Sequence, residues 1–189
     1  MLPPYHFAAG YMLTAFTPDK DLKKKIFYGI LFGLISISPD LDVLFRVHRS
    51  FSHSLVFITM ITLPLIIRLR GRSLFRYAVL AYTAYILHIL LDLQDPTPAL
   101  WPVFNGAIWI SASFYIKASS PLTINAYITS HFEEYEFKSL SEFLYKAADY
   151  NSLIFASLMI LVFTLIAASN LHSSKPSNQP SKNVYTHIH

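Results

Sequence analysis

The chain has 189 residues, of which 53% are hydrophobic and only 14% are charged. Soluble domains carry about 25% charged residues, so this composition favours a single integral membrane domain. The net charge of +4 does not indicate nucleic-acid binding, because the basic residues lie in short loops between apolar runs. Cysteine is absent, which excludes disulfides and thiolate metal ligands. The first residues have no signal-peptide pattern, and we expect no cleaved leader.

The apolar runs predict five helical segments. We place them at residues 5–16, 26–38, 54–69, 75–93 and 152–169. A full membrane span needs about 20 residues, so we expect the first three to tilt, to extend into their flanks or to be shielded by protein. The predicted fold class is therefore all-α: a polytopic membrane helical bundle with four or five spans, forming one domain over residues 1–169.

The basic residues predict how this bundle is oriented. Ten of the fifteen Lys and Arg residues fall on one side, in loops 17–25 and 68–76 and in the C-terminal tail. The positive-inside rule makes that side cytoplasmic. The opposite, outer side holds nine of the eleven acidic residues.

The stretch 105–150 has a mixed pattern on the outer side. Trp109 and Tyr115 within it, like Trp101 just before it, are typical of a membrane interface. Ser139 and Glu142 have capping-box spacing, which predicts an amphipathic helix lying on the outer surface. The tail 170–189 is polar and rich in Ser, Pro and Asn, and we expect it to be disordered.

Because successive segments cross the membrane in alternating directions, seven side chains able to bind a metal fall at the outer end of the bundle. None of the seven was used to derive the orientation. They lie at the start of the first segment, between the second and third, and near the end of the fourth: His6, Asp40, Asp42, His48, His53, His88 and Asp92. Such a convergence in a hydrophobic protein predicts a metal site facing the outer side.

Each motif also has a second interpretation when it is taken alone. His88 and Asp92 are four residues apart and lie on one helix face. They are either ligands that share a metal ion or a hydrogen-bonded pair between polar helix ends. Ionisable side chains in a membrane segment are costly, which favours a functional role. The sequence P-D-L-D at 39–42 is either an Asp-rich turn or a pair of carboxylates that bridge metals or divide ligand and base roles. His6 alone is typical of an interfacial histidine, and only together with the other six does it indicate a ligand.

The loop between the second and third segments adds two histidines and an arginine. Two histidines at 48 and 53, close to two aspartates, are hard to explain by packing. Asp42 is the preferred bridging ligand or general base, with Asp40 as the substitute. Arg49 either anchors a lipid headgroup or binds an anionic group of the substrate, such as a phosphate.

Other polar residues are not expected to join the site. His131 is expected on a solvated polar face, and Asp95 in a turn before a proline. Three further histidines lie past the fifth segment, on the opposite side: His172, His187 and His189.

Imidazole and carboxylate ligands without thiolates suit one or two divalent transition-metal ions. Zinc is preferred, with manganese and iron as alternatives. Such an ion lowers the pKa of bound water and polarises a phosphoryl or carbonyl oxygen, which predicts hydrolysis. At a membrane face, the simplest substrate is a lipid or a lipid-linked molecule.

At these motifs the chain resembles the LexA-regulated, membrane-bound, predicted metal-dependent hydrolases. The resemblance covers roughly residues 1–105, with H-x-x-x-G at 6–10, P-D-L-D at 39–42, the histidine loop at 48–54, H-x-x-x-D at 88–92 and L-W-P at 100–102. Ser50 and Ser52 stand where the family pattern has Gly and Thr. The H-x-x-x-D motif is also similar to helical ligand pairs of zinc-dependent phospholipases C. The resemblance implies a hydrolase of phospholipase C-like or phosphatase-like activity.

The predicted function is metal-dependent hydrolysis of a phosphoester or ester bond in a lipid or lipid-linked substrate of the cell membrane. Two rival interpretations remain open, a metal-ion transporter or channel and a non-catalytic membrane scaffold with a structural metal. The second and fifth segments carry few polar groups at mid-depth, which disfavours an ion path. Closed coordination, with no position open for water, would favour the scaffold.

Overall fold

The computed structural model describes residues 2–45, 49–117, 123–134 and 147–173. The five α-helices within them are α1 (Pro3–Tyr11), α2 (Leu22–Ile37), α3 (Leu55–Arg68), α4 (Phe75–Asp92) and α5 (Tyr150–Ser173). Three 3₁₀ helices lie at Met12–Phe16, Ser38–Phe45 and Phe51–His53. Two strands follow α4 along the chain, β1 (Gly106–Lys117) and β2 (Thr123–Glu134). Each of the five predicted helical segments therefore corresponds to a helix.

Capping residues and prolines set where these helices begin. α1 begins at a proline, whose fixed φ suits the first helical position. The side chain of Asp21 accepts a hydrogen bond from the Lys23 N–H at 3.0 Å and caps α2. Ser54 caps α3 by accepting from the Phe57 N–H at 3.1 Å.

α1 packs tightly among its neighbours. A Cβ atom on Gly10 would lie 2.4 Å from the carbonyl oxygen of Phe32, so only glycine allows α1 to approach the α2 backbone this closely. The Tyr11 and Thr164 hydroxyl oxygens are 2.8 Å apart and join α1 to α5. These contacts fix the position of His6, which lies one turn before Gly10.

The all-α prediction is wrong, because residues 106–117 and 123–134 form the two strands of a β-hairpin. β1 and β2 pair antiparallel, with a register that runs from Gly106 opposite Glu134 to Lys117 opposite Thr123. β1 is rich in β-branched and aromatic residues, which favour the extended backbone. The amphipathic helix predicted after Ser139 and the disordered tail predicted from residue 170 lie largely outside the described residues.

The prediction of four or five membrane spans is also wrong. Within the described ranges, two helices are long and apolar enough to cross a membrane, at Leu22–Phe45 and Tyr150–Leu171. α1 has 9 residues and α3 has 14, too few for the roughly 20 that a bilayer core of about 30 Å requires. α4 has 18 residues, but Arg76, His88 and Asp92 lower its hydropathy.

The helices nevertheless connect two chemically different ends. The loop before α2 meets the first turn of α4 at one end, where the Tyr77 hydroxyl donates to Asp19 Oδ2 at 2.8 Å. The start of α1 and the ends of α2 and α4 lie at the other. At ~1.5 Å per residue, the 18 residues of α4 separate the two ends by about 27 Å.

Candidate metal centre

Four of the predicted ligands come together in the interior at the second of these ends. One nitrogen or oxygen atom from each lies within 4.8 Å of the others, and all four residues are buried. Asp40 comes from the 3₁₀ helix after α2 and His53 from the 3₁₀ helix before α3. His88 and Asp92 come from the last turns of α4. We refer to Asp40, His53, His88 and Asp92 as the His–Asp cluster.

The separations within the His–Asp cluster are those of ligands around one ion. His53 Nε2 lies 3.1 Å from His88 Nε2 and 3.4 Å from Asp92 Oδ2. Asp40 Oδ1 lies 3.7 Å from each of these two imidazole nitrogens. His88 Nε2 lies 3.5 Å from Asp92 Oδ2. Ligand atoms held at about 2.1 Å by a tetrahedral ion are separated from one another by roughly 3.4 Å, so the arrangement fits one cation.

Electrostatics favour a positive charge at the same point. Burial by itself lowers the pKa of His53. Hydrogen bonding to the carboxylates of Asp40, Asp42 and Asp92 outweighs burial and raises that pKa from 6.5 to about 10. A divalent cation would meet the same demand for positive charge. The two imidazoles and two carboxylates suit zinc, manganese or iron, and they do not select among them.

Asp42 lies behind His53 rather than in the His–Asp cluster. Its Oδ2 atom is 3.3 Å from His53 Nδ1. The same oxygen accepts hydrogen bonds from the Ser50 N–H at 2.9 Å, the Ser50 hydroxyl at 3.1 Å and the Ser52 hydroxyl at 3.0 Å. A carboxylate on the far nitrogen of a ligand histidine fixes its tautomer and ring orientation. This position differs from the bridging position expected from the sequence, and a general-base role for Asp42 or Asp40 stays a prediction.

Three serines hold the histidine loop, and sequence reasoning gave them no role in the site. The Ser50 and Ser52 hydroxyls both donate hydrogen bonds to Asp42. The Ser54 hydroxyl donates to the Trp101 carbonyl, and the Leu55 N–H donates to the Ala99 carbonyl at 2.8 Å. These bonds connect the H-S pair at 53–54 to the L-W-P motif at 100–102. The alternation of serine with other residues around His53 was the available signal.

His6 is fully buried beside the His–Asp cluster. Its Nε2 atom lies 3.1 Å from Asp92 Oδ1, and its ring centroid lies 3.9 Å from that of His88. Asp92 therefore presents one carboxylate oxygen to His6 and the other to His53 and His88. His6 is near enough to take part, and its role as a ligand stays a prediction.

The remaining candidates are placed elsewhere. His48 lies outside the described residues. The Arg49 guanidinium pairs with Asp95 Oδ2 at 2.7 Å and donates to the Pro96 carbonyl at 3.1 Å. Arg49 thus fastens the histidine loop to the segment after α4, and its contact with a lipid headgroup or a substrate anion stays a prediction. His131 is exposed on β2 and stacks on Trp109, with ring centroids 4.9 Å apart.

The family comparison agrees with a membrane location. The profile of the YdjM inner membrane protein family matches residues 1–173. The chain therefore belongs to this family of inner membrane proteins. Neither the curated proteins nor the solved structures contain a significant match to the chain. The match supports the membrane part of the resemblance noted above, and it does not extend to LexA regulation, hydrolysis or likeness to phospholipase C.

Proposed function

We propose that this protein is a membrane-bound, metal-dependent hydrolase that cleaves a phosphoester or ester bond in a lipid or lipid-linked substrate. The observation that carries the proposal is the buried His–Asp cluster, in which the four ligand atoms all lie within 4.8 Å of one another. Membership of an inner membrane protein family supports a substrate drawn from the bilayer. Zinc is the preferred ion, with manganese and iron as alternatives.

The residues of the chain divide the work of hydrolysis. Asp40, His53, His88 and Asp92 would hold the ion, which supplies an acidified water and a polarised oxygen on the scissile bond. Asp42 orients His53 and also borders an open pocket, so it is the carboxylate best placed to carry a proton. In the overall reaction, the water oxygen bonds to phosphorus or to the acyl carbon. The ester bond breaks, and the leaving alcohol takes the proton.

We further propose that the His–Asp cluster faces the outer side of the inner membrane, with loops 17–25 and 68–76 and the C-terminal tail in the cytoplasm. The support is the separation of about 27 Å along α4 between the basic loops and Asp92, combined with the positive-inside rule.

The experiment that tests the proposed function pairs elemental analysis with an ester-hydrolysis screen. His88→Ala is compared with the wild-type protein and with Thr83→Ala, a change on the same helix at a half-buried residue outside the His–Asp cluster. We expect about one or two equivalents of a transition metal in the wild type and in Thr83→Ala, and loss of metal and of phospholipid or phosphodiester hydrolysis in His88→Ala.

The outcomes separate the rival functions. Metal retained in His88→Ala would overturn the ligand assignment. Metal bound by the wild type without hydrolysis of any lipid ester would overturn the enzyme proposal and favour a structural ion. Uptake of the ion into proteoliposomes would indicate a transporter.

A further inference from the structure

An apolar pocket opens directly beside the His–Asp cluster. Its volume is about 680 Å³, within the roughly 300–1,000 Å³ typical of sites for small ligands. One wall is polar and consists of Asp42, Ser50 and Ser52. The other walls are apolar, formed by Pro39, Leu41, Phe45, Phe51 and Trp101.

The polar wall connects the pocket to the His–Asp cluster. Asp42 Oδ2 accepts from both Ser50 and Ser52 and lies 3.3 Å from His53 Nδ1. A molecule in the pocket is therefore separated from the candidate ligands by the thickness of one side chain. A long apolar chain in the pocket would place the polar group attached to that chain next to the His–Asp cluster.

The apolar walls include residues at the end of a candidate membrane span. Leu41 and Phe45 close the candidate membrane span Leu22–Phe45. Leu41, Phe45 and Phe51 are 52%, 80% and 54% exposed, which is costly in water and favourable against lipid. The pocket is thus continuous with the surface of a membrane-spanning segment.

From this geometry we propose that the pocket holds one hydrocarbon chain of a membrane lipid ester while the polar headgroup end lies at the His–Asp cluster. The placement of the headgroup rests on the proposed function, whereas binding of the chain does not. A hydrocarbon chain that moves from the bilayer into the pocket stays in apolar surroundings, so little hydrophobic free energy is gained. The main effect of binding is to position the lipid. The pocket orients the ester bond and selects substrates by chain shape.

Tryptophan fluorescence provides a test that does not depend on activity. The chain has two tryptophans, Trp101 in the pocket and Trp109 on β1. In a Trp109→Phe background, Trp101 reports the pocket alone. The probe is phosphatidylcholine brominated near the end of one acyl chain, titrated into detergent-solubilised protein beside the unbrominated lipid. We expect quenching that saturates at a single lipid per chain with the brominated probe only.

A variant that fills the pocket and a matched control make the test specific. Ser38 also lines the pocket, so Ser38→Phe adds a ring to the pocket wall and is expected to abolish saturable quenching. Val79→Phe, a comparable enlargement at an exposed position of α4, is expected to leave quenching unchanged. Metal content at the wild-type level would show that Ser38→Phe is folded. Phe45→Ala, which removes an apolar side chain from the pocket wall, is a second variant and is expected to weaken the quenching. Unsaturable quenching, or saturable quenching that survives both changes, would overturn the pocket proposal.

Failure of the pocket proposal can be told apart from failure of the proposed function. Saturable quenching in His88→Ala is expected, because chain binding needs no ion. Saturable quenching without any metal-dependent hydrolysis would overturn the proposed function alone. Metal-dependent hydrolysis with unsaturable quenching would overturn the pocket alone.

Discussion

Two carboxylates separated by one residue have different surroundings in this fold. The Asp40 side chain enters the His–Asp cluster, with Oδ1 at 3.7 Å from both imidazole Nε2 atoms. Asp42 contacts the opposite nitrogen of His53 and the two serines of the loop. The irregular 3₁₀ geometry of Ser38–Phe45 directs the two side chains to different sides of one imidazole.

This difference predicts unequal effects for Asp40→Asn and Asp42→Asn. Asp40→Asn removes a charged ligand, and we expect it to abolish stoichiometric metal binding. Asp42→Asn keeps an oxygen acceptor for the serines but loses the charge behind His53, and we expect metal affinity to fall by about 10–100-fold. Chelator competition measures both affinities, with Glu134→Gln, an exposed carboxylate on β2, as the control. Equal losses in the two variants would show that both carboxylates are ligands.

Much of the candidate site could be predicted from sequence at this scale. The i, i+4 spacing placed His88 and Asp92 together, and helix ends indicated where His6, Asp40 and His53 would meet. The position of Asp42 and the pairing of Arg49 with Asp95 could not be predicted, because they depend on side-chain directions in irregular loops. The contact between the histidine loop and the L-W-P motif is likewise set by tertiary structure.

The β-hairpin is the element that sequence patterns failed to reveal. Apolar residues occupy adjacent positions at 108–110 in β1, so the alternation expected of a half-buried strand is blurred. Aromatic residues such as Trp109 and Tyr115 are equally typical of membrane interfaces. Strand pairing is a contact between distant parts of the chain, which a local pattern cannot supply. The helices, whose bonds are local, were placed to within a few residues.

The register of the hairpin predicts a specific cross-link. Ser111 and Thr129 are directly opposite one another. Directly opposed Cα atoms lie about 4.5–5.5 Å apart, which suits a disulfide. Because the chain has no native cysteine, Ser111→Cys with Thr129→Cys is expected to form one intramolecular disulfide on mild oxidation. Mass spectrometry after blocking of free thiols measures it.

A diagonal pair provides the control for this cross-link. Tyr127 is opposite Ser113, two positions further along. Diagonal neighbours lie roughly 7–8 Å apart, too far for an unstrained bridge. Ser111→Cys with Tyr127→Cys is therefore expected to stay reduced. Preferential bridging of the diagonal pair would contradict the register.

At the scale of the whole molecule, positive charge and candidate metal ligands are segregated to opposite ends. Lys23 and Lys24 lie beside Ser73 and Tyr77 around one surface cleft. The His–Asp cluster lies where α4 ends. Composition predicted the membrane location correctly, while the number of spans was overestimated because apolar helices too short to cross a bilayer, such as α1 and α3, were counted as spans.

This segregation predicts opposite labelling of two introduced cysteines. Ser73→Cys lies in the basic loop, and Asn105→Cys is exposed just before β1. With a membrane-impermeant maleimide added to spheroplasts, we expect Asn105→Cys to react at once and Ser73→Cys to react only after lysis. The wild-type protein, which has no cysteine, is the blank. The reverse pattern would place the cluster in the cytoplasm.

The His–Asp cluster takes its members from three elements: α4, the 3₁₀ helix after α2 and the 3₁₀ helix before α3. A bound ion would therefore act as a non-covalent cross-link that closes two long loops of the chain, with the entropic benefit that loop closure brings. None of the three elements can hold the ion alone, so loading follows the docking of α4 against the turns after α2 and before α3. Metal content would then report how completely a nascent chain has assembled in the bilayer.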